Sequence, residues 1–395
     1  MPAEPSASAL AEISALIAHD TTSRGSNLAL VEHVEQRLAA VGIASSRLPD
    51  PSGEKANLLA TIPAADGRVT GGIVLSAHTD VVPVDGQAWA SEPFSADVRD
   101  GRLYGRGAAD MKAFLGVVVD RLPAMAGARL AEPIHVALSY DEEVGCIGAV
   151  DLAAEIVRRG LAPVGCVVGE PTGMRAIRAH KSMNVHRIDV RGVAAHSSLT
   201  PEGVNAVRYA ARLVDAIEAI ADEQREQGPF DDGYVVPYTT VSTNRIDGGI
   251  AINTVPADCT ITFEFRGLPA LDHGALLGRV REACAAVERE MRARHDDARV
   301  TLSHVASAPG VDTPADAAVV GLAAAWGAIP SDDKVTYGTE AGLFAGAGIP
   351  TIVCGPGDIA QAHAPDEFIE LDQIAACEAF VDRLIDGLST GQETP

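Results

Sequence analysis

Apolar residues Leu10, Ile13, Leu16 and Ile17 recur at helical spacing, and so do Leu30, Val31, Val34 and Leu38, the second set stopping near Gly42. Beyond this pair of predicted helices the rhythm changes. Short apolar runs at 57–62, 73–77, 134–139 and 164–168 predict buried strands, and helical patterns at 111–125 and 149–159 lie among them. Alternation of this kind predicts a mostly parallel sheet with crossover helices.

Near Lys181 the pattern changes again. A strand at 185–190, a helix at 204–221, strands at 239–246 and 257–265, a long helix at 270–292 and a strand at 299–305 follow in turn. The order β-α-β-β-α-β is that of the split-βαβ, ferredoxin-like arrangement. From about Gly310 the α/β character resumes, with a buried strand at 349–354 and a closing helix at 371–388. The expected fold is therefore α/β: a mostly parallel-sheet domain made of 1–180 and 309–395, with an α+β domain, 181–308, inserted between its halves. At 395 residues the chain exceeds what one core usually serves, which agrees with two domains. No internal repeat or low-complexity linker interrupts it.

Composition sharpens this picture. With 47% hydrophobic residues but only 4% aromatics, the interior must be built from Val, Leu, Ile and Ala, as suits helices on a parallel sheet. The 54 acidic against 31 basic side chains, net −23, argue against nucleic acid or an anionic membrane as partner. No apolar run is long enough for a membrane span, and residues 1–5 lack the basic start of a secretory leader. Six cysteines lie far apart with no Cys-x-x-Cys pair, so reduced thiols in a cytoplasmic protein are expected.

The candidate chemistry is concentrated in five residues, His78, Asp110, Glu143, Glu170 and His363, each preceded by an apolar or glycine-containing stretch that can deliver it to a strand end or a tight turn. Taken singly, each has an ordinary alternative. His78 is a structural histidine, Asp110 a helix N-cap after a glycine-rich turn, and Asp141-Glu142-Glu143 a solvated acidic turn. Together they favour metal ligation. Asp80 follows His78 at the i+2 position, on the same side of an extended segment, where a carboxylate can hold the second imidazole nitrogen. Three consecutive acids repel unless a cation sits among them. Two divalent ions would bring four positive charges, and Asp110, Glu143, Glu170 and one hydroxide would balance them, the histidines being neutral. Mixed His/carboxylate ligation suits zinc, with cobalt or manganese as alternatives.

The runs Ser-Ala-His-Thr-Asp-Val-Val-Pro (76–83), Gly-Arg-Gly-Ala-Ala-Asp-Met-Lys (105–112), Asp-Glu-Glu-Val-Gly (141–145), Gly-Glu-Pro-Thr (169–172) and Ala-His-Ala-Pro-Asp-Glu-Phe (362–368) resemble, in this order, metallopeptidase family M20. The resemblance spans nearly the whole chain. It implies a zinc-peptidase-like catalytic domain with an inserted dimerisation (lid) domain, two divalent ions per chain and a homodimer. It implies that Asp110 bridges the ions, that His78 and Glu170 complete one shell and Glu143 and His363 the other, and that Glu142 is the general base, with Asp80 as partner of His78. The Asp110–Met111 peptide is cis in the family. His196, in Gly-Val-Ala-Ala-His-Ser-Ser (192–198), matches a family histidine that reaches the oxyanion from the neighbouring subunit, although Ala195 stands where glycine is common. Asn253 and Arg266 match residues that contact substrate, Arg266 with the fork geometry an α-carboxylate wants.

The implied reaction is hydrolysis of the amide of a small N-acyl amino acid by a metal-activated hydroxide. Tyr337-Gly338-Thr339-Glu340-Ala341 resembles the acetylornithine deacetylase branch, as do His180-Lys181-Ser182 and Pro237-Tyr238-Thr239-Thr240. Gly338, Thr339 and Glu340 are accordingly expected at the substrate, Glu340 against a cationic side chain, in a step of arginine biosynthesis. The alternative for Glu340 is an acid at a helix start. The competing activities are succinyl-diaminopimelate desuccinylase, another N-acyl-amino-acid amidohydrolase, or a carboxypeptidase or dipeptidase of the same family. A binding protein on this fold would be marked by a missing ligand or base, and none is missing.

Overall fold

The computed structural model describes residues 4–389; residues 1–3, part of the segment read as lacking a leader, lie outside the described residues. The chain divides into two compact units, one of 1–179, 311–334 and 339–395, the other of 180–310 and 335–338.

The first unit is organised by a six-stranded sheet of β1 (Ser45–Pro49), β2 (Ala56–Ile62), β3 (Ile73–His78), β4 (Ile134–Ser139), β5 (Gly165–Pro171) and β6 (Thr351–Gly355). Their spatial order is β1-β2-β4-β3-β5-β6. β3, β4, β5 and β6 run parallel, while β1 and β2 pair antiparallel at one edge. Every residue of β3, β4, β5 and β6 is buried, as expected of strands covered on both faces. Helices Ala7–Ile17, Leu28–Ala40, Ala113–Asp120, Ile147–Arg158 and Leu371–Gly387 bring apolar side chains such as Ile13, Val34 and Phe380 to the core.

The single helix expected over 111–125 is not formed. A π-helical turn, Ala108–Lys112, holds Asp110 and Met111 in non-helical conformation, and the helices that follow are Ala113–Asp120 and Leu122–Gly127. Pro123 explains the second break, since it has no amide to donate and is tolerated only in a helix's first turn.

In the second unit four antiparallel strands take the order Thr240–Gly248, Asp258–Arg266, Met183–Arg191, Arg299–Ala308. Helices Ala206–Gln227 and His273–Arg292 cover one face. Strand residues Ile188, Val190, Ile261, Phe263 and Phe265 pack there against Leu213, Ile217, Val280 and Cys284. This is the ferredoxin-like topology read from the sequence. All six cysteines are buried and unpaired. Among the described residues no helix is long and apolar enough to cross a membrane.

Candidate metal centre

Register decides where the chemistry falls. His78, the last residue of β3, is paired with Ser139, the last of β4, so Glu142 and Glu143 leave the sheet beside it. On the other side Ser76 pairs with Val168, which brings Glu170, two residues on, level with His78. All lie at the carboxyl ends of parallel strands, the end at which open α/β sheets bind ligands.

Two loops supply the remaining groups. The turn after Gly107, whose φ of +81° favours glycine, presents Asp110, and the Asp110–Met111 peptide is cis. The loop after β6 presents His363, itself at φ +64°. His78 Nε2 lies 2.8 Å from Asp110 Oδ1 and 3.6 Å from Glu170 Oε1. His363 Nε2 lies 3.2 Å from Asp110 Oδ2 and 2.9 Å from Glu143 Oε2. The result is two triads, His78–Asp110–Glu170 and Asp110–Glu143–His363, whose donor atoms lie within 4.8 Å of one another in each set. Asp110 belongs to both.

Imidazole nitrogen and carboxylate oxygen are the donors borderline divalent cations prefer, so the residues present fit such ions. The electrostatics agree. Burial pushes Glu142 up to about 8 against the attraction of His78, with repulsion from Glu143, Asp110 and Asp80 adding to the rise, and burial and Asp110 push Glu143 up to about 7. Glu170 is raised well above the carboxylate range, first by burial and then by Asp110. Burial would lower His78, but Asp110 and Glu170 overcome it and hold its pKa well above the usual value. Acids packed this closely are what a cation relieves.

The three consecutive acids are sorted by their partners. Asp141 pairs with Lys55, Glu143 faces His363, and Glu142 accepts the Cys146 thiol at 3.3 Å. Asp141 and Glu142 lie outside both triads, and Asp141 is held by Lys55.

Asp80 departs from its expected contact. The atom nearest His78 Nδ1 is the Asp80 main-chain carbonyl, at 3.0 Å, whereas its carboxylate is 3.7 Å away. That carboxylate accepts instead from the Glu142 amide at 3.0 Å, the Glu143 amide at 3.3 Å and Ser23 Oγ at 2.7 Å. Residue 80 thus fixes the imidazole with its backbone and the acidic turn with its side chain.

Glu340 lies where β3 meets β4. It is fully buried, and its two carboxylate oxygens accept from Ser76 Oγ at 2.6 Å and Ser139 Oγ at 2.5 Å, tying β3 to β4. Each carboxylate oxygen thus has a serine partner within the protein. Thr339 is buried beside it and accepts from the Ala341 amide. Gly338 belongs to the second unit.

In the second unit, His196 and Asn253 are brought together by a short antiparallel ladder pairing Ala195 with Val255 and His196 with Thr254. The Ser197 amide donates to the Asn253 carbonyl at 3.0 Å. His196 Nδ1 accepts from the Ser198 amide at 3.2 Å, which assigns the proton of a neutral ring to Nε2. Arg266 is held by Glu264, at 3.1 Å from Nη2. The runs 180–182 and 237–240 also meet, Lys181 Nζ donating to the Tyr238 carbonyl at 2.5 Å.

Residues 74–387 match peptidase family M20/M25/M40. The chain belongs to this family. It is therefore a metal-dependent hydrolase. Among its M20 relatives, acetylornithine deacetylase of Myxococcus xanthus is 34% identical over 380 residues, 95% of this chain and 96% of its own length. That of Proteus mirabilis is 33% identical over 379 residues, 95% of this chain and 94% of its own. Among solved M20-type folds, the metallo-carboxypeptidase Sso-CP2 of Sulfolobus solfataricus superposes with a TM-score of 0.74 at 17% identity, covering 95% of this chain and 98% of that one. Aminopeptidase PepT of Bacillus cereus gives 0.72 at 23% identity, covering 96% and 98%.

Two groups with bearing on this M20 site escape sequence reasoning. Glu367 lies inside one of the matching runs, but its partners 257 to 261 positions away give no local signal. Cys146 reads as an ordinary core residue until its thiol is seen against Glu142.

Proposed function

We propose that the protein hydrolyses the amide bond of an N-acyl amino acid, with N-acetylornithine as substrate, at a two-cation centre. The observation that carries the reading is the pair of donor triads sharing Asp110. The choice of acyl amino acid is supported by relatives named acetylornithine deacetylase that align along almost the whole chain.

His78, Asp110 and Glu170 would hold one ion, and Asp110, Glu143 and His363 the other, zinc being the expected metal. When bound, such ions lower the pKa of water and polarise a scissile carbonyl. Glu142 takes the proton of the attacking water and passes it to the leaving amine nitrogen, a task for which a partly buried carboxylate outside both triads is suited. Asp80, through the amides of Glu142 and Glu143, keeps base and ligand from exchanging places. Nε2–H of His196 donates to the oxyanion of the tetrahedral intermediate, and Asn253 and Arg266 contact the substrate.

The active form is a homodimer built on the second unit, with His196 acting across it. Support comes from the strand Thr240–Gly248, which lies at an edge of its sheet with a mostly exposed run of side chains that calls for protection. The buried, unpaired cysteines suit a reducing cytoplasm.

The test runs N-acetylornithine, N-succinyl-diaminopimelate and a dipeptide side by side on protein of measured metal content. N-acetylornithine should have the highest kcat/KM. Preference for the succinyl compound or the dipeptide would move the protein to another activity of the family.

A further inference from the structure

Asp110 and His363 both stand on irregular backbone, and neither is held by a sheet ladder. His363 is also the one ligand whose side chain is substantially open, at 53% exposure. A ligand pair of this kind needs something else to fix it, and the structure supplies one residue that reaches both loops.

Glu367, only 1% exposed, lies four residues after His363. Its Oε1 accepts from the Ala109 amide at 2.9 Å and the Asp110 amide at 3.1 Å. Oε2 accepts from the Gly107 amide at 3.1 Å and Arg106 Nη1 at 2.7 Å. Its main-chain carbonyl accepts from the Gly105 amide at 3.0 Å. The turn that carries Asp110 is thus wrapped on one carboxylate from the other loop. A second path closes the ring: Arg106 Nη2 donates to Gln87 Oε1 at 2.5 Å, and Gln87 Nε2 donates to the His363 carbonyl at 2.8 Å.

We infer that Glu367 is the positioning residue that sets Asp110 and His363 in register for cation binding, with Arg106 and Gln87 relaying the hold to the His363 backbone. The inference rests on the two-cation reading above. Both ends of Glu367 meet donors, so an ionised carboxylate is the only isosteric group that serves: an amide has one acceptor end, and either flip of Gln would turn its NH2 toward two N–H donors. Because Asp110 is shared, loosening this turn disturbs both ions rather than one. Residues behind metal ligands commonly govern affinity in this way.

The test measures zinc affinity by competition with a chelator on the full chain, together with the visible absorption of the cobalt-loaded protein, for wild type, Glu367→Gln and Glu378→Gln. Glu378 is a control, a buried carboxylate that accepts from Ser6 and Arg121 away from the site. All are compared at a temperature where each is folded by near-ultraviolet circular dichroism. Glu367→Gln should weaken both ions by about 10–100-fold and alter the cobalt spectrum, while Glu378→Gln changes neither. Should Glu367→Gln fail to fold, Gln87→Ala, at a partly exposed position, should still weaken the His363 site several-fold and spare the His78 site. Unchanged affinity in Glu367→Gln or in Gln87→Ala, or an equal loss in Glu378→Gln, overturns the inference with the metal reading intact. A wild type that binds no cation overturns that reading, and this inference with it.

Discussion

His78 and His196 occupy opposite kinds of surroundings. His78 ends a strand paired on both sides, is 1% exposed, and has both ring nitrogens engaged, by Asp80 and Asp110. His196 sits on a two-residue ladder in the second unit, exposed, with its side chain bonded to Ser198. The first unit builds its half of the chemistry into a core that must form before anything binds. The second unit offers a donor whose position owes little to packing. The candidate cation ligands are therefore set by the fold, whereas the role proposed for His196 depends on what meets an exposed side chain.

The largest effect expected from breaking this contrast is on the side of the buried triads. Asp110→Asn removes the charge both triads share, so metal analysis should find both ions lost and hydrolysis at background. Retention of a full complement of metal would dissolve the two-triad picture. Next comes Glu142→Gln, expected to lower kcat by roughly 10²–10⁴ with metal content intact. Glu143→Gln should instead weaken metal binding; the reverse pattern would mean that the two acids have exchanged roles.

His196→Ala tests the other region. It should cost about 10²–10³ in kcat, the usual worth of one oxyanion donor, while metal content and Tm stay unchanged because the side chain is exposed. Mixed with Glu142→Gln under verified subunit exchange, it should regain part of the activity if His196 works across a dimer. Exchange without rescue would confine His196 to its own subunit or remove it from catalysis, and a fully active monomer would dismiss the dimer.

The smallest effect concerns pH. In the metal-free protein Glu142 at about 8 and Glu143 at about 7 bind protons more tightly than an unfolded glutamate at 4.5, as does His363 at about 10 relative to 6.5. The stability they contribute is complete below their unfolded values and lost as pH rises through the folded ones. Tm of the metal-free protein should therefore fall by a few degrees between about pH 5.5 and about pH 8.5. Adding zinc should reverse the trend, because the ligands bind it deprotonated and hold it more tightly as pH rises. A Tm of the metal-free protein that climbs over the same range would contradict the crowded-acid description.

The regular elements were legible because their signal is local. Period and composition alone place strands such as Ile73–His78 and Asp258–Arg266 and the helix His273–Arg292 within a few residues. The five candidate ligands were legible for a related reason: each lies in a short run whose residue types suit a strand end or a tight turn. The break of the helix expected over 111–125 was readable in principle from Pro123, but the non-helical turn at Asp110 was not, since bonds from a loop more than 250 residues away hold it.

What the sequence by itself determined is the set of parts: two α/β segments around a ferredoxin-like insert, and five candidate ligands with an acid beside them. Only the tertiary structure decided how the acids divide their work. Register placed His78 level with Ser139, and the Glu340 carboxylate is taken up by Ser76 and Ser139 of the same two strands. The Asp80 carboxylate went to the amides of residues 142 and 143, and Glu367 to the amides around Asp110. Every carboxylate carries the same charge and the same acceptor atoms, so its role is set by which donors the fold brings within reach, and those donors come from distant parts of the chain.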